Sequence, residues 1–419
     1  MSRAKYAFSA LLGPWSVIAV IGLEVANLTQ LGSPWRGEFM WTVDWMAIGW
    51  FIAGPVIAGM AAVDASRISR KGVLPVAAVM QRPHAPYAFA LAWTCAPATI
   101  VHCLALIVAL VIGAAVPQTG SELGLSLLAF LVQLGAIWWY AALGSAIGRF
   151  ISPLAAGISA TFVALGVFYT LSWGRGFLLL DFGAATVSRL GISLRWQYLL
   201  VQAGVLTATF LVLLWLPVRA PERRYDLGAT GVVLILVFTA LIVGTRIIGP
   251  TTRTELSAAK KPDNCFFVDP QVCLYRAHLR VADDTVASIV QLAEAARNNG
   301  YELLVPDIVH EQSWSYQPPA VEVRGIQMPS EILAGEDWDT LKLAQSLLVP
   351  THCPQVFGDK PPSERYFLEL EALTFTWIAL VENPRSEELA DIPPSAIEAR
   401  ALTPTKARDA KEFLDSCDF

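Results

Sequence analysis

The stretch that most constrains the fold runs from Trp138 to Trp173. It reads WWYAALGSAIGRFISPLAAGISATFVALGVFYTLSW, with Arg149 as its only formal charge. About 20 apolar residues cross the hydrocarbon of a bilayer, so this run holds two crossings that turn at Gly148 and Arg149, with Pro153 just beyond. A water-soluble core has no place for so much continuous apolar surface. Residues 1–250 therefore read as a membrane domain and residues 251–419 as a domain outside it.

Composition agrees. Of 419 residues, 55% are hydrophobic and only 16% charged, against about 25% charged in soluble chains. Most Asp and Glu lie after residue 250, which leaves material for one soluble domain of roughly 150–170 residues. The net charge of -5 and the absence of a basic stripe argue against a nucleic-acid partner.

The spacing predicts seven spans: Tyr6 to Leu28, Met46 to Val63, Ala85 to Ala115, Leu125 to Ile147, Ile151 to Ser172, Tyr198 to Leu216 and Gly228 to Ile248. The first reads as a retained crossing, since no small-residue cleavage motif precedes Trp35. It is interrupted by Pro14 and carries Glu24. A carboxylate there faces a partner helix, a wet cavity or the outer headgroups; the headgroup reading is favoured because Asn27, Thr29 and Gln30 follow. His102, in the third span, reads as a packed or cavity-lining polar residue. Trp35 to Trp45 reads as an aromatic belt at the membrane surface. Gly174 to Gln197 is broken by Asp181, Arg189 and Arg195, and reads as a short helix dipping into or lying on the outer leaflet.

Charge bias sets the sides. With the N-terminus cytoplasmic, the inner segments carry Arg3, Lys5, Arg67, Arg70, Lys71, Arg82, Arg149, Arg219, Arg223 and Arg224. The short outer segments carry Arg36, Arg175, Arg189 and Arg195, so the positive-inside rule is obeyed. An odd number of spans then places residues 251–419 outside the cell. Four cysteines of that part, Cys265, Cys273, Cys353 and Cys417, suit disulfides in an oxidising compartment. Three pairings are formally possible. The reading taken is Cys265 with Cys273 as a local clip and Cys353 with Cys417 as a tie for the tail; a four-thiolate zinc site is the competing one, although no CxxC spacing is present.

In the outer part, Thr251 to Asp263 reads as a polar tether. Val272 to Tyr275 and Tyr301 to Val305 are strand candidates flanking an amphipathic helix from Val281 to Asn299, with Val321 to Ile326 as a further strand. This order suggests a small α/β unit. Val309 to Arg324 reads as loop or edge structure, and Trp338 to Leu348, Ser363 to Leu380 and Pro404 to Leu414 as helices. Catalytic signals are weak. His310 and Glu311 begin HEQSW, which lacks the second His of a HExxH zinc motif. His278, His310 and His352 have no paired ligand spacing, although ligands drawn from distant segments would still allow a metal site. Asp307, Glu311 and Asp337 read as surface carboxylates, and Ser313 and Ser315 sit in no GxSxG elbow. No Gly-rich phosphate loop is present, so no catalytic residue, metal or cofactor is assigned to this chain.

The order of elements over residues 6–218 resembles the ABC-2 type of ABC transporter permease: two spans, a cytoplasmic loop, a long third span, a tight turn, a fourth span, a short inner turn, a fifth span, an outer re-entrant element and a sixth. The loop DASRISRKGVLPVAAVMQRPH (64–84) is similar to the family's connection to a separate ATPase. The resemblance implies that Asp64, Arg67, Arg70, Lys71 and Gly72 couple to that subunit, and that Arg175, Asp181 and Arg189 belong to the re-entrant element. A seventh span and the cysteine-bearing domain depart from the usual six-span form. They resemble a group of actinobacterial permease-like proteins whose C-terminal domain begins with a Cys and a short VC-hydrophobic strand, here Cys265 to Leu274. The expected function is thus the membrane subunit of an ATP-driven transporter, with ATP and Mg in a cytoplasmic ABC ATPase partner. A second copy or a homologous permease would complete it within the lipid. The alternatives are a non-transporting membrane sensor or scaffold, and a membrane-anchored outer hydrolase.

Overall fold

The computed structural model describes residues 3–69, 84–113, 123–172, 178–215, 252–318, 320–353 and 362–418. Among them, five helices are long and apolar enough to cross a membrane: α4 (Trp50–Ile68), α5 (Ala85–Gly113), α6 (Leu123–Gly148), α7 (Pro153–Ser172) and α8 (Trp196–Leu214). They match the expected second to sixth spans to within a few residues. The expected seventh span, Gly228 to Ile248, lies outside the described residues.

The first expected span is not one helix. It is α1 (Arg3–Ala10), a 3-10 turn (Gly13–Trp15) and α2 (Ser16–Thr29). Pro14 has no N–H to give and breaks the ladder. The N–H groups freed at the break, on Leu12 and Gly13, donate to the Asp64 carboxylate of α4 at 2.8 and 2.6 Å. A backbone break within an apolar bundle survives only where such groups find a partner. Asp64, expected to meet an ATPase, is thus buried against its own chain.

Small residues bring the central helices together. Gly144 and Gly148 of α6 lie against the backbone carbonyls of Ala58 and Ala62 on α4, so close that a β-carbon at either position would collide. This is the packing used where apolar solvent gives helices no hydrophobic reason to associate. At one end of the bundle, Ser66 donates to the Ile151 carbonyl at 2.5 Å, Ser69 meets the Tyr87 hydroxyl at 2.8 Å, and Arg149 donates to the Leu214 carbonyl at 3.2 Å. The N-terminal break joins the same end through Asp64. At the other end the bundle meets the part of the chain that follows residue 251.

That part holds a four-stranded sheet ordered β3-β4-β5-β6: β3 (Asn264–Phe266), β4 (Gln271–Leu274), β5 (Ile308–Glu311) and β6 (Val323–Ile326). β3 runs antiparallel to β4, and β4, β5 and β6 are parallel. The crossover between β4 and β5 contains α9 (Ala282–Asn298), which buries Ile289, Leu292, Ala293 and Ala296 as its stripe predicts. Helices α10 (Ser330–Ala334), α11 (Thr340–Leu348), α12 (Glu364–Ala379), α13 (Pro394–Arg400) and α14 (Pro404–Ser416) complete the core. The two disulfides are Cys265–Cys273, across β3 and β4, and Cys353–Cys417, which fastens the end of α14.

Three expectations are corrected here. Tyr301 to Val305 is not a strand: Glu302–Leu304 is a 3-10 turn after the positive-φ Gly300, and the strand begins at Ile308, beyond Pro306. The supposed tether at 251–263 contains β2 (Thr254–Leu256), which pairs antiparallel with β1 (Ile192–Leu194). No helix forms over 178–195. Positive φ at Gly183, Ala184 and Gly191 turns the backbone away from helix, and Leu179, Leu180 and Phe182 are buried in the bundle.

Candidate functional site

The connection between α2 and α4 is the keystone of the bundle's second end. Residues 34–48, PWRGEFMWTVDWMAI, include α3 (Phe39–Met46). The expected surface belt of tryptophans is instead an internal plug: Trp35, Trp41 and Trp45 are no more than 2% exposed and join the core of the sheet domain. Trp41 Nε1 donates to the Ala185 carbonyl at 3.0 Å and Trp45 Nε1 to the Asn27 carbonyl at 2.6 Å. A large ring with one polar edge is well suited to joining two packed bodies, provided the N–H is satisfied.

Around this plug lies a buried ionic joint. Glu38, at the N-terminal side of α3, accepts from His278 Nε2 at 2.9 Å, Ser188 Oγ at 2.7 Å and the Arg189 N–H at 2.8 Å. His278, on the turn after β4, donates its other nitrogen, Nδ1, to Glu311 at the end of β5. Glu311 also accepts the Tyr275 N–H at 2.8 Å. With a carboxylate on each ring nitrogen, His278 can satisfy both only as an imidazolium. Burial alone would lower its pKa, but Glu311 and Glu38 outweigh that and push it up to about 9.

Six residues along α3, Asp44 takes both terminal nitrogens of Arg253 at 3.0 and 2.7 Å, and Arg189 Nε lies 3.3 Å away. Gly183 (φ +104) packs on this carboxyl, where a β-carbon would collide with it. Arg280 donates to the carbonyls of Pro34, Arg36 and Leu333 at 2.7, 2.6 and 2.8 Å, and desolvation lowers its pKa to about 10. Asp181 approaches Arg253 closely enough to favour its charge. Glu38, Asp44, Asp181 and Glu311 thus face Arg189, Arg253, His278 and Arg280, with Arg36 near enough to Arg280 to oppose its charge. Close pairing of opposite charges is what allows such a cluster to be buried at all.

A second polar group lies deeper in the bundle. Glu24 of α2 is 6% exposed and its Oε1 is 2.6 Å from Nδ1 of the fully buried His102 on α5. His102 Nε2 is 3.1 Å from Gln133 Oε1 on α6. The headgroup placement of Glu24 is therefore corrected: its side chain turns inward onto a histidine.

Of the remaining expected site residues, Arg67 is half exposed, 3.8 Å from Asp64, and Arg70, Lys71, Gly72 and Arg175 lie outside the described residues. Asp181 accepts the Gly183 N–H at 2.9 Å, and Arg189 belongs to the joint. Glu311, read as a surface group, is 1% exposed. His352, Cys353 and Cys417 bring ligand atoms within 4.8 Å of one another, but both sulfurs are bonded in a disulfide and offer no thiolate to a metal. Glu38, Asp44, His278 and Arg253 are not singled out as site residues by sequence; the available signal is two carboxylates set in a tryptophan-rich run that holds one cation, Arg36. No family model, curated protein or solved structure matches this chain.

Proposed function

We propose that the chain is the membrane subunit of an ATP-driven transporter of ABC type, with its N-terminus cytoplasmic and residues 252–418 outside the cell. Seven spans would then cross the bilayer. A separate ATPase would dock at residues 64–84, and the joint would carry its stroke to the outer domain. One observation carries this reading: α4 runs unbroken from the joint, where it follows α3, to the start of that segment at Asp64 and Arg67. Its 19 residues reach roughly 28 Å, close to the hydrocarbon thickness. Coupling over such a distance needs a rigid element with a partner at each end. The bundle geometry supports the sidedness. The connections at 30–49 and 178–195 meet the disulfide-bonded domain, whereas Asp64, Arg67 and Arg149 gather at the opposite end. Trp215, whose ring lies 5.3 Å from that of His84, and Arg253, paired with Asp44, also lie at opposite ends.

The test is isolation of the full chain from its native membrane in mild detergent. A co-purifying ATPase is expected, with hydrolysis that falls at least tenfold when Arg67, Arg70 and Lys71 are all changed to Glu. A chain that purifies alone and supports no ATP turnover would contradict the reading.

A second reading, a membrane sensor, is favoured by one feature of the outer domain. A cavity of about 400 Å³ opens between α9 and α11, lined by Asp284, Ser288, Gln291, Asp337, Trp338 and Asn383. It is large enough for a small polar ligand. Saturable binding of such a ligand to the full chain, without ATPase association, would favour it over transport.

A further inference from the structure

The Glu24–His102 pair has a proton inventory fixed by its neighbours. Gln133 Nε2 donates to the carbonyls of Val43 at 3.0 Å and Phe182 at 3.4 Å. That orientation leaves its Oε1 facing His102 Nε2, which must therefore carry a proton. The contact between His102 Nδ1 and Glu24 Oε1 holds one more, on either partner. The pair is neutral as it stands. Loss of a proton leaves a buried negative charge and gain leaves a buried positive one, in a place walled by Trp50 and Phe130 at 5.1 and 4.9 Å from the imidazole. Either change is costly unless the surroundings respond.

Glu24 Oε2 is buried and has no hydrogen-bond partner. It borders a cavity of about 10 Å³ between α2 and α4, lined with Asn27, Met46, Gly49 and Trp50. That is the space of a single water. An unpaired carboxylate oxygen beside such a space is the arrangement by which a proton enters or leaves a buried pair. The other titratable groups on the elements packed here are few. α5 adds Tyr87 at its far end and Cys95 and Cys103, α6 adds Tyr140, and α3 adds Asp44, which is occupied by Arg253 and Arg189. On the 178–191 segment are Asp181 and Arg189; α2 adds none, and α4 adds only Asp64 and Arg67 at the far end.

We infer that Glu24 and His102 form a proton-exchange site within the helix bundle, reached through one water at the free oxygen of Glu24 and linked to the joint by Gln133. The link is direct. Val43 adjoins Asp44, and Phe182 adjoins Asp181 and Gly183, so a change in the pair that turns the Gln133 amide loosens two backbone segments that hold the outer domain. Protons then bias the position of that domain, with or without an ATPase partner.

Infrared difference spectroscopy of the full chain in lipid nanodiscs, between neutral and acidic buffer, tests this. A carboxylic-acid carbonyl band should grow on acidification and be missing from Glu24→Gln, whose amide N–H can still donate to His102 Nδ1. Indole fluorescence should follow the same titration through Trp50. A difference spectrum identical in wild type and Glu24→Gln would overturn the proposal. Should Glu24→Gln fail to assemble, nitrogen resonances of labelled histidine in the unaltered chain decide instead, assigned with His102→Asn. The His102 signals should move over the same pH range, and signals that stay fixed would overturn it.

Discussion

At the scale of the residue, His278 is the member of the joint whose state can be set from outside. Its pKa is raised above the unfolded value of about 6.5 to about 9. The sign follows from linkage: a folded-state pKa above the unfolded one adds stability that is complete below about pH 6.5 and lost as pH rises through about 9. Thermal unfolding in nanodiscs should therefore show the sheet domain losing stability between pH 7 and 10, and His278→Gln should remove most of that slope. Truncating one partner of a buried pair costs about 3–5 kcal/mol, so Asp44→Ala, which strands Arg253 and Arg189, should unfold the joint at all pH values. Asp44→Glu should be milder. The pairs themselves were beyond the reach of sequence: Glu38 and His278 are 240 residues apart and Asp44 and Arg253 are 209 apart. Only a fold brings such groups together, and a lone buried acid looks in sequence like a surface one.

At the scale of the element, apolar length and helical spacing were strong signals. The ends of α4 to α8 and of α9 and α11 fall close to where hydrophobicity changes, because burial of one stripe or one whole run decides a helix. Short strands are weaker. Ile308 to Glu311 is hidden by the neighbouring sequence with its Trp314, Tyr316 and Pro318, and β1 pairs with a partner 60 to 64 residues away. Glycine packing makes a sharp prediction. Gly144→Val would force α4 and α6 apart, with a cost of about 1–3 kcal/mol or more, whereas Gly135→Ala, with nothing within 4 Å of the new carbon, should be tolerated. Yield of folded chain after detergent extraction checks both. The disulfides separate in the same way. Cys353–Cys417 closes 64 residues of chain and Cys265–Cys273 only 8. Chain-entropy arguments give about 4 kcal/mol for the first and about 2–3 kcal/mol for the second. Cys353→Ser with Cys417→Ser should thus lower the sheet domain's melting temperature more than the pair Cys265→Ser with Cys273→Ser.

At the scale of the whole molecule, the core of the sheet domain takes in Trp35, Trp41, Trp45, Ala109 and Ala185 from the helix-bundle side rather than standing apart across a linker. The tryptophans of residues 34–48 belong to the sheet domain's core, the paired strands β1 and β2 bridge the two, and the ionic joint fills the polar space between. Sequence suggests an apolar helical part and a small sheet part but places a tether at 251–263, since Arg253 and β2 look polar and featureless without the partners that bury them. A chain built this way would move its sheet domain together with its helix bundle. Hydrogen exchange on the full chain in nanodiscs, with Glu38→Gln beside wild type, measures that unity most directly. The account predicts that α3, residues 188–194, β4 and the end of β5 lose protection together in the variant. Loss confined to α3, with the sheet as protected as before, would contradict it.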